Sequence, residues 1–242
     1  MNVAVIFSGG VGKRMGSDPV PKQFLRLHGR PILLYTLDIF QRHRDIDEIV
    51  LVMLENWIEK TEELIAEYNV TKVRVVIPGG KTGQESIRKG VEKARELYPD
   101  GTLLLIHDGV RPLIDPKVIS ANIEKARKNG NAVTTAPVTE TVINTDDNGE
   151  ITTILHREEC FVARAPQSFF VEDIYSAHER AKADGLDHFI DSACLMSHYG
   201  HTLHSVTGNS DNIKITTPID FFLFKAYIEA REQSALFGEN NE

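Results

Sequence analysis

The residues of this chain best suited to chemistry sit in short blocks. The first is Gly9-Gly10-Val11-Gly12-Lys13-Arg14-Met15-Gly16, with Lys22 a few positions on. Glycines let a backbone approach phosphate oxygens closely, exposed amides can donate to those oxygens, and Lys13, Arg14 and Lys22 add positive charge. The second block is Ile106-His107-Asp108-Gly109-Val110-Arg111-Pro112, where a carboxylate stands three residues before a guanidinium. A lone carboxylate near a phosphate-binding loop suits Mg2+, which takes one or two protein oxygens and completes its shell from phosphate and water.

Two familiar nucleotide motifs do not fit the first block. A dinucleotide fingerprint anchored at Gly10 and Gly12 wants a third small residue where Met15 stands. A phosphate-binding loop of the Walker type ending in Gly12-Lys13 wants glycine at Phe7 and serine or threonine at Arg14.

The elements that must position these blocks follow from the hydrophobic pattern. Apolar, β-branched runs at Val3–Ser8, Glu48–Leu54, Lys72–Ile77, Thr102–His107 and Ala132–Val138 read as strands. Longer amphipathic segments at Pro31–His43, Asn56–Tyr68, Gln84–Leu97, Pro116–Asn129 and Val171–Asp184 read as helices, with Pro31 and Pro116 in first-turn positions. The alternation predicts a doubly wound α/β fold, a mainly parallel sheet with helices on both faces. Ligands of such sheets bind beyond the carboxyl ends of the strands, where both blocks lie. One stretch breaks the rhythm. Thr141–Thr145 and Glu150–Leu155 flank Asp146-Asp147-Asn148-Gly149, which predicts a β-hairpin. The chain reads as one domain over residues 1–242, with 139–159 an inserted arm that either packs at home or reaches a second copy.

Composition narrows the class of function. The chain has 242 residues, 41% of them hydrophobic, and a formal net charge of −8, which argues against a nucleic-acid partner. No run approaches the roughly 20 apolar residues of a membrane span, and the start lacks a basic, then apolar, secretory pattern. Cys160 and Cys194 are far apart and without metal-ligand spacing, so a reducing, cytoplasmic setting is expected.

Ser8-Gly9-Gly10-Val11-Gly12-Lys13-Arg14-Met15, followed by Pro21-Lys22-Gln23-Phe24-Leu25, resembles the opening signature of nucleotide-diphospho-sugar-type nucleotidyltransferases. Within them it is most similar to the branch of methylerythritol phosphate and ribitol-5-phosphate cytidylyltransferases. The resemblance implies that the protein joins CTP to a small polyol phosphate with the help of Mg2+. It implies that Ser8, Gly9, Gly10 and Gly12 hold the nucleotide, and that Arg14 and Lys22 hold the triphosphate and stabilise the reacting α-phosphate. Negative charge builds at that phosphorus during attack, so fixed cations lower the barrier. The second block resembles a His-Asp-x-x-Arg-Pro signature, which implies Asp108 as the metal-site carboxylate, Gly109 at the nucleotide and Arg111 at the acceptor phosphate. His107 reads as structural: an acceptor phosphate, with a second pKa of about 6, needs no base near neutral pH. Gly79-Gly80-Lys81-Thr82-Gly83-Gln84-Glu85-Ser86 corresponds to a cytosine-reading segment through Gly79, Gly80 and Ser86. Thr141, and Arg157 in the hairpin's return strand, match acceptor-binding positions, the arginine reaching the site of a neighbouring subunit in a homodimer. In Asp211-Asn212-Ile213-Lys214-Ile215-Thr216, Lys214 would contact the acceptor side, and Asp211 reads as structural rather than as a second metal ligand.

Departures from the branch bear on the acceptor. Gly83 replaces an arginine of the better-known members, and Ala165 and Ile190 replace threonines that line the acceptor pocket of the methylerythritol enzymes. Each lost hydroxyl removes a partner worth roughly 0.5–1.5 kcal/mol. With Gly109-Val110 closer to the ribitol enzymes, ribitol 5-phosphate is the favoured acceptor and 2-C-methyl-D-erythritol 4-phosphate the alternative. Two other classes are weaker. A nucleotide-binding regulator would not need Arg14, Lys22, Asp108 and Lys214 together. A glycosyltransferase would usually carry an Asp-x-Asp metal motif, which Asp184-Gly185-Leu186-Asp187 misses in spacing.

Overall fold

The computed structural model describes residues 1–8 and 20–237, the side chains of 234–237 excepted. Its strands are β1 (Asn2–Ser8), β2 (Arg26–Leu27), β3 (Arg30–Pro31), β4 (Glu48–Met53), β5 (Val73–Pro78), β6 (Leu103–Asp108), β7 (Asn131–Pro137), β8 (Ile143–Thr145), β9 (Ile151–Ile154), β10 (Phe161–Phe170) and β11 (Ser205–Thr207). Its helices are α1 (Ile32–Arg42), α2 (Ile58–Glu67), α3 (Gly83–Leu97), α4 (Pro116–Asn129), α5 (Val171–Ala183), α6 (Ser192–His198) and α7 (Pro218–Phe237).

Seven strands form the main sheet in the order β11-β7-β10-β6-β1-β4-β5. β1 runs parallel to both β4 and β6, and only β10 runs against its neighbours. The central strands are apolar on both faces, as a sheet covered twice requires. Ala4, Ile6, Leu51, Leu103 and Leu105 pack under α1, α2 and α4. Val3, Val5, Val50, Leu104 and Ile106 pack under α3, α5 and α6 on the other side. The expected doubly wound sheet is therefore present.

Local chemistry sets the helix ends. Asp115 caps α4 by accepting from Lys117 N, Pro116 fills its first position, and Gly130 ends it at φ +92°. Pro31 behaves differently from expectation. It lies just outside α1, in the two-residue strand β3, with an extended ψ of 144°, and the first helical amide, Ile32 N, bonds Leu25 O. The segment expected as one helix from Asn56 begins instead as a short 3-10 turn, Glu55–Trp57, before α2.

β8 and β9 pair antiparallel and form the expected hairpin. Its turn is held by Asp146, whose Oδ1 accepts from Asn148 N and Glu150 N at 2.9 Å each, with Gly149 at φ +84°. The chain enters this arm from β7 and returns into β10, and Phe161 pairs with Pro137 at its base.

Candidate active site

β1 is the strand from which the chain first winds to β4 and β5 and then returns to β6 on the opposite side, so the β1/β6 boundary is the topological switch point. A crevice opens there in α/β sheets. The register puts the candidate residues in one row along the carboxyl edge: Asp108 beside Phe7, Ser8 beside Met53, and Met53 beside Pro78. At about 4.8 Å per strand, this row from Asp108 to Pro78 spans roughly 14 Å.

Asp108 is the centre of the row. Its side chain is 8% exposed; Oδ2 accepts from Arg111 Nε at 2.7 Å and Oδ1 pairs with Lys214 Nζ at 2.6 Å. Burial pushes its pKa up, but the Arg111 and Lys214 cations outweigh that and hold the carboxyl well below the usual carboxylate range. Lys214 Nζ also lies 5.8 Å from the centroid of the Phe7 ring. Arg111 reaches further, donating from Nη1 to Asn212 O at 2.9 Å, and Arg164 Nη1 donates to the same oxygen at 2.9 Å. The turn from Asp108 to Arg111 is clamped below by His107, whose Nε2 meets Arg111 O at 3.3 Å. Burial holds this histidine neutral, with its pKa lowered to about 4, as a structural role requires.

Gly109 is required by space. A Cβ there would collide with Ser8 Oγ and sit 3.0 Å from Leu33 Cδ1. Its carbonyl accepts from Thr36 Oγ1 at 3.0 Å, and its amide donates to Phe7 O at 3.0 Å. Lys22 opens a single 3-10 turn, Lys22–Phe24, whose next residue ties it to the row: buried Gln23 donates from Nε2 to Ser8 O at 2.8 Å. At the other end, Ser86 Oγ accepts from Gly80 N at 3.0 Å and donates to Thr82 O at 2.9 Å. Lys89 Nζ donates to Gly79 O at 2.9 Å, and Thr82 caps α3 by accepting from Glu85 N. Gly83 has nothing within 4 Å of where a Cβ would be, so a side chain could start there without a clash.

The structure thus gathers Ser8, Gly79, Gly80, Ser86, Asp108, Gly109, Arg111 and Lys214 along one edge, with Lys22 adjoining through Gln23. Gly9, Gly10, Gly12 and Arg14 lie outside the described residues. Thr141 and Arg157 are exposed on the arm. Arg157 is not in the return strand, as expected, but in a 3-10 turn, Arg157–Glu159, after β9, where Nη1 donates to Thr139 O at 3.4 Å. Asp211 Oδ2 pairs with Arg231 at 3.1 Å. Gln23, Asn212 and Arg164 were not singled out as site residues. Adjacency to Lys22 is the signal for the first and nearness to Lys214 for the second, and nothing in the sequence signals Arg164.

One carboxylate among several cations, at the switch point beside the Ser8 end of β1, defines a nucleotidyltransferase of the α/β class. The chain matches the family described as IspD, 2-C-methyl-D-erythritol 4-phosphate cytidylyltransferase, over residues 2–230, and belongs to it. It is 47% identical over 238 residues to a ribitol-5-phosphate cytidylyltransferase of Streptococcus agalactiae serotype V, covering 98% of this chain and 99% of the relative. A 2-C-methyl-D-erythritol 4-phosphate cytidylyltransferase of Clostridium botulinum is 36% identical over 228 residues, 94% of this chain and 97% of that one. Among solved structures, the 4-diphosphocytidyl-2C-methyl-D-erythritol synthase of Anaerococcus prevotii superposes with a TM-score of 0.82 at 28% identity, covering 94% of this chain and 96% of that chain.

Proposed function

We propose that this chain transfers CMP from CTP to ribitol 5-phosphate and releases pyrophosphate. The observation that carries the reading is the Asp108–Arg111–Lys214 cluster at the switch point, together with full-length likeness to ribitol-5-phosphate cytidylyltransferases. An acceptor phosphate oxygen attacks the α-phosphorus of CTP, a new P–O bond forms, and the bond to the β-phosphate oxygen breaks. Lys22, Lys214 and Arg14 stabilise the charge that develops at the α-phosphate. Ser8, Gly9, Gly10, Gly12 and Gly109 bind the triphosphate end, and Gly79, Gly80 and Ser86 read the base. Arg111, Thr141 and Arg157 bind the acceptor.

Asp108 fits a divalent cation. Its two oxygens offer about four lone-pair sites, of which Arg111 and Lys214 take two. A single carboxylate suits Mg2+ arriving with a nucleotide, since that ion takes most of its ligands from phosphate and water. When bound, it would neutralise phosphate charge and polarise the α-phosphate.

The 139–159 arm is assigned to a two-fold homodimer. Ile143, Ile151 and Ile154 are 43%, 60% and 65% exposed, on a two-stranded hairpin that is at best marginally stable alone. The single domain of 1–242 and a cytoplasmic location complete the reading. No helix among the described residues is long and apolar enough to cross a membrane.

The test is pyrophosphate release by purified protein with CTP, Mg2+ and a panel of polyol phosphates. Ribitol 5-phosphate should give the highest kcat/KM. Preference for 2-C-methyl-D-erythritol 4-phosphate would move the assignment to the other activity within the family. Turnover of no acceptor would sink the enzymatic reading.

A further inference from the structure

Arg164 stands where β10 loses register with β7, between Ala163 and Gln167. Released from the ladder, it is half-buried and donates from Nη1 to Asn212 O, the same carbonyl oxygen that Arg111 uses. Two guanidiniums therefore converge on one neutral acceptor. Burial and the neighbouring Arg111 both disfavour the charge on Arg164, and Asp211 offsets them only in part. The local charges leave a positive excess. Asp108 is already shared by Arg111 and Lys214, and Asp211 by Arg231. Such an excess in a chain of net charge −8 calls for an anion.

The sheet order says which anion. β1 and β5, the latter with the Gly79–Ser86 turn at its end, lie on one side of β6, and β10 lies on the other. Asp108 marks the boundary, so Arg164 is on the side away from the Gly79–Ser86 turn. We propose that Arg164 is a specificity-determining residue which, with Arg111, forms a two-guanidinium clamp for the phosphate of the acceptor. The proposal rests on the cytidylyltransferase reading above. Guanidinium forks bind phosphate through paired donors, and each of these side chains has spent only part of its five.

The experiment measures KM for ribitol 5-phosphate and for CTP in purified Arg164→Leu, Arg164→Lys and Arg164→Gln proteins. Loss of a charge-assisted contact should raise the acceptor KM about 10- to 100-fold in Arg164→Leu, with kcat and the CTP KM little changed. Arg164→Lys should recover much of the loss. Arg164→Gln, which keeps a donor for Asn212 O but no charge, should stay as weak as Arg164→Leu. Restoration of a wild-type acceptor KM by glutamine would overturn the proposal, since Arg164 would then only brace Asn212. An equal rise in the KM of CTP would overturn it as well. If Arg164→Leu fails to fold by circular dichroism, the lysine and glutamine proteins still decide. Normal wild-type turnover with unaffected variants refutes the clamp alone, whereas a wild type that turns over no phosphorylated polyol refutes the clamp and the underlying reading together.

Discussion

At the scale of single residues, the closest packing in the site is Gly109 against Ser8. The turn after β6 needs a carbonyl aimed at Thr36 and an amide aimed at Phe7, which brings its Cα against the end of β1. Any side chain there has to push Ser8 and Leu33 aside. Gly109→Ala should therefore cost about 1–3 kcal/mol, the usual penalty for overpacking, and lower the thermal midpoint by several degrees. Because Ser8 would move with it, CTP binding should weaken as well. A variant as stable as the wild type, with the same CTP KM, would refute the steric argument.

At the scale of elements, the strands that β-branched runs announce are where the hydrophobic pattern puts them, within a residue or two. β10 was not legible. Arg164 and Pro166 interrupt its apolar run, and proline inside a run argues against a strand. The structure accommodates them at the register break, between one stretch paired with β7 and another paired with both β7 and β6. β11 is too short to announce itself, and its place was set by pairing with β7. The site was legible where a motif is local, as in Asp108-Gly109-Val110-Arg111, and illegible where it depends on meeting across 48 residues, as Arg164 and Asn212 do. The arm was legible from its turn. If it crosses to a partner, mixing Arg157→Ala with Lys22→Ala subunits should restore part of the activity lost by each, because one site of each hybrid dimer keeps both wild-type residues. Subunit exchange demonstrated by mass, with no activity regained, would place Arg157 in its own subunit's service or none.

At the scale of the whole molecule, two histidines give stability a definite dependence on pH. Burial lowers His107 to about 4; His178, 2% exposed on the buried face of α5, is lowered to about 4 by burial and by Arg88. Between about 4 and the unfolded value of about 6.5, the unfolded chain binds these protons and the folded chain does not. Stability is therefore full above pH 6.5 and falls as the pH drops towards 4, by on the order of 3 kcal/mol for each histidine. Asp173, raised by burial and by Glu172, opposes this slope, and Asp108 adds its own loss only at lower pH. Urea midpoints measured from pH 7.5 to 4.5 should decline, and His178→Gln should flatten the decline. A flat profile in the wild type would show that these rings are protonated in the fold.

The shared carboxylate of Asp108 has a consequence for the catalytic cycle. The resting protein supplies its own counterion, so neither Lys214 nor Arg111 waits unpaired. On the proposed reading, nucleotide entry is then an exchange of partners rather than the capture of an anion by an open charge. Departure is the same exchange in reverse. When the cytidylylated product leaves with its α-phosphate, Lys214 can return to Asp108, its partner at 2.6 Å in the resting protein, and no stranded ammonium holds the product back. The same contact that tempers affinity for the substrate hastens the emptying of the site.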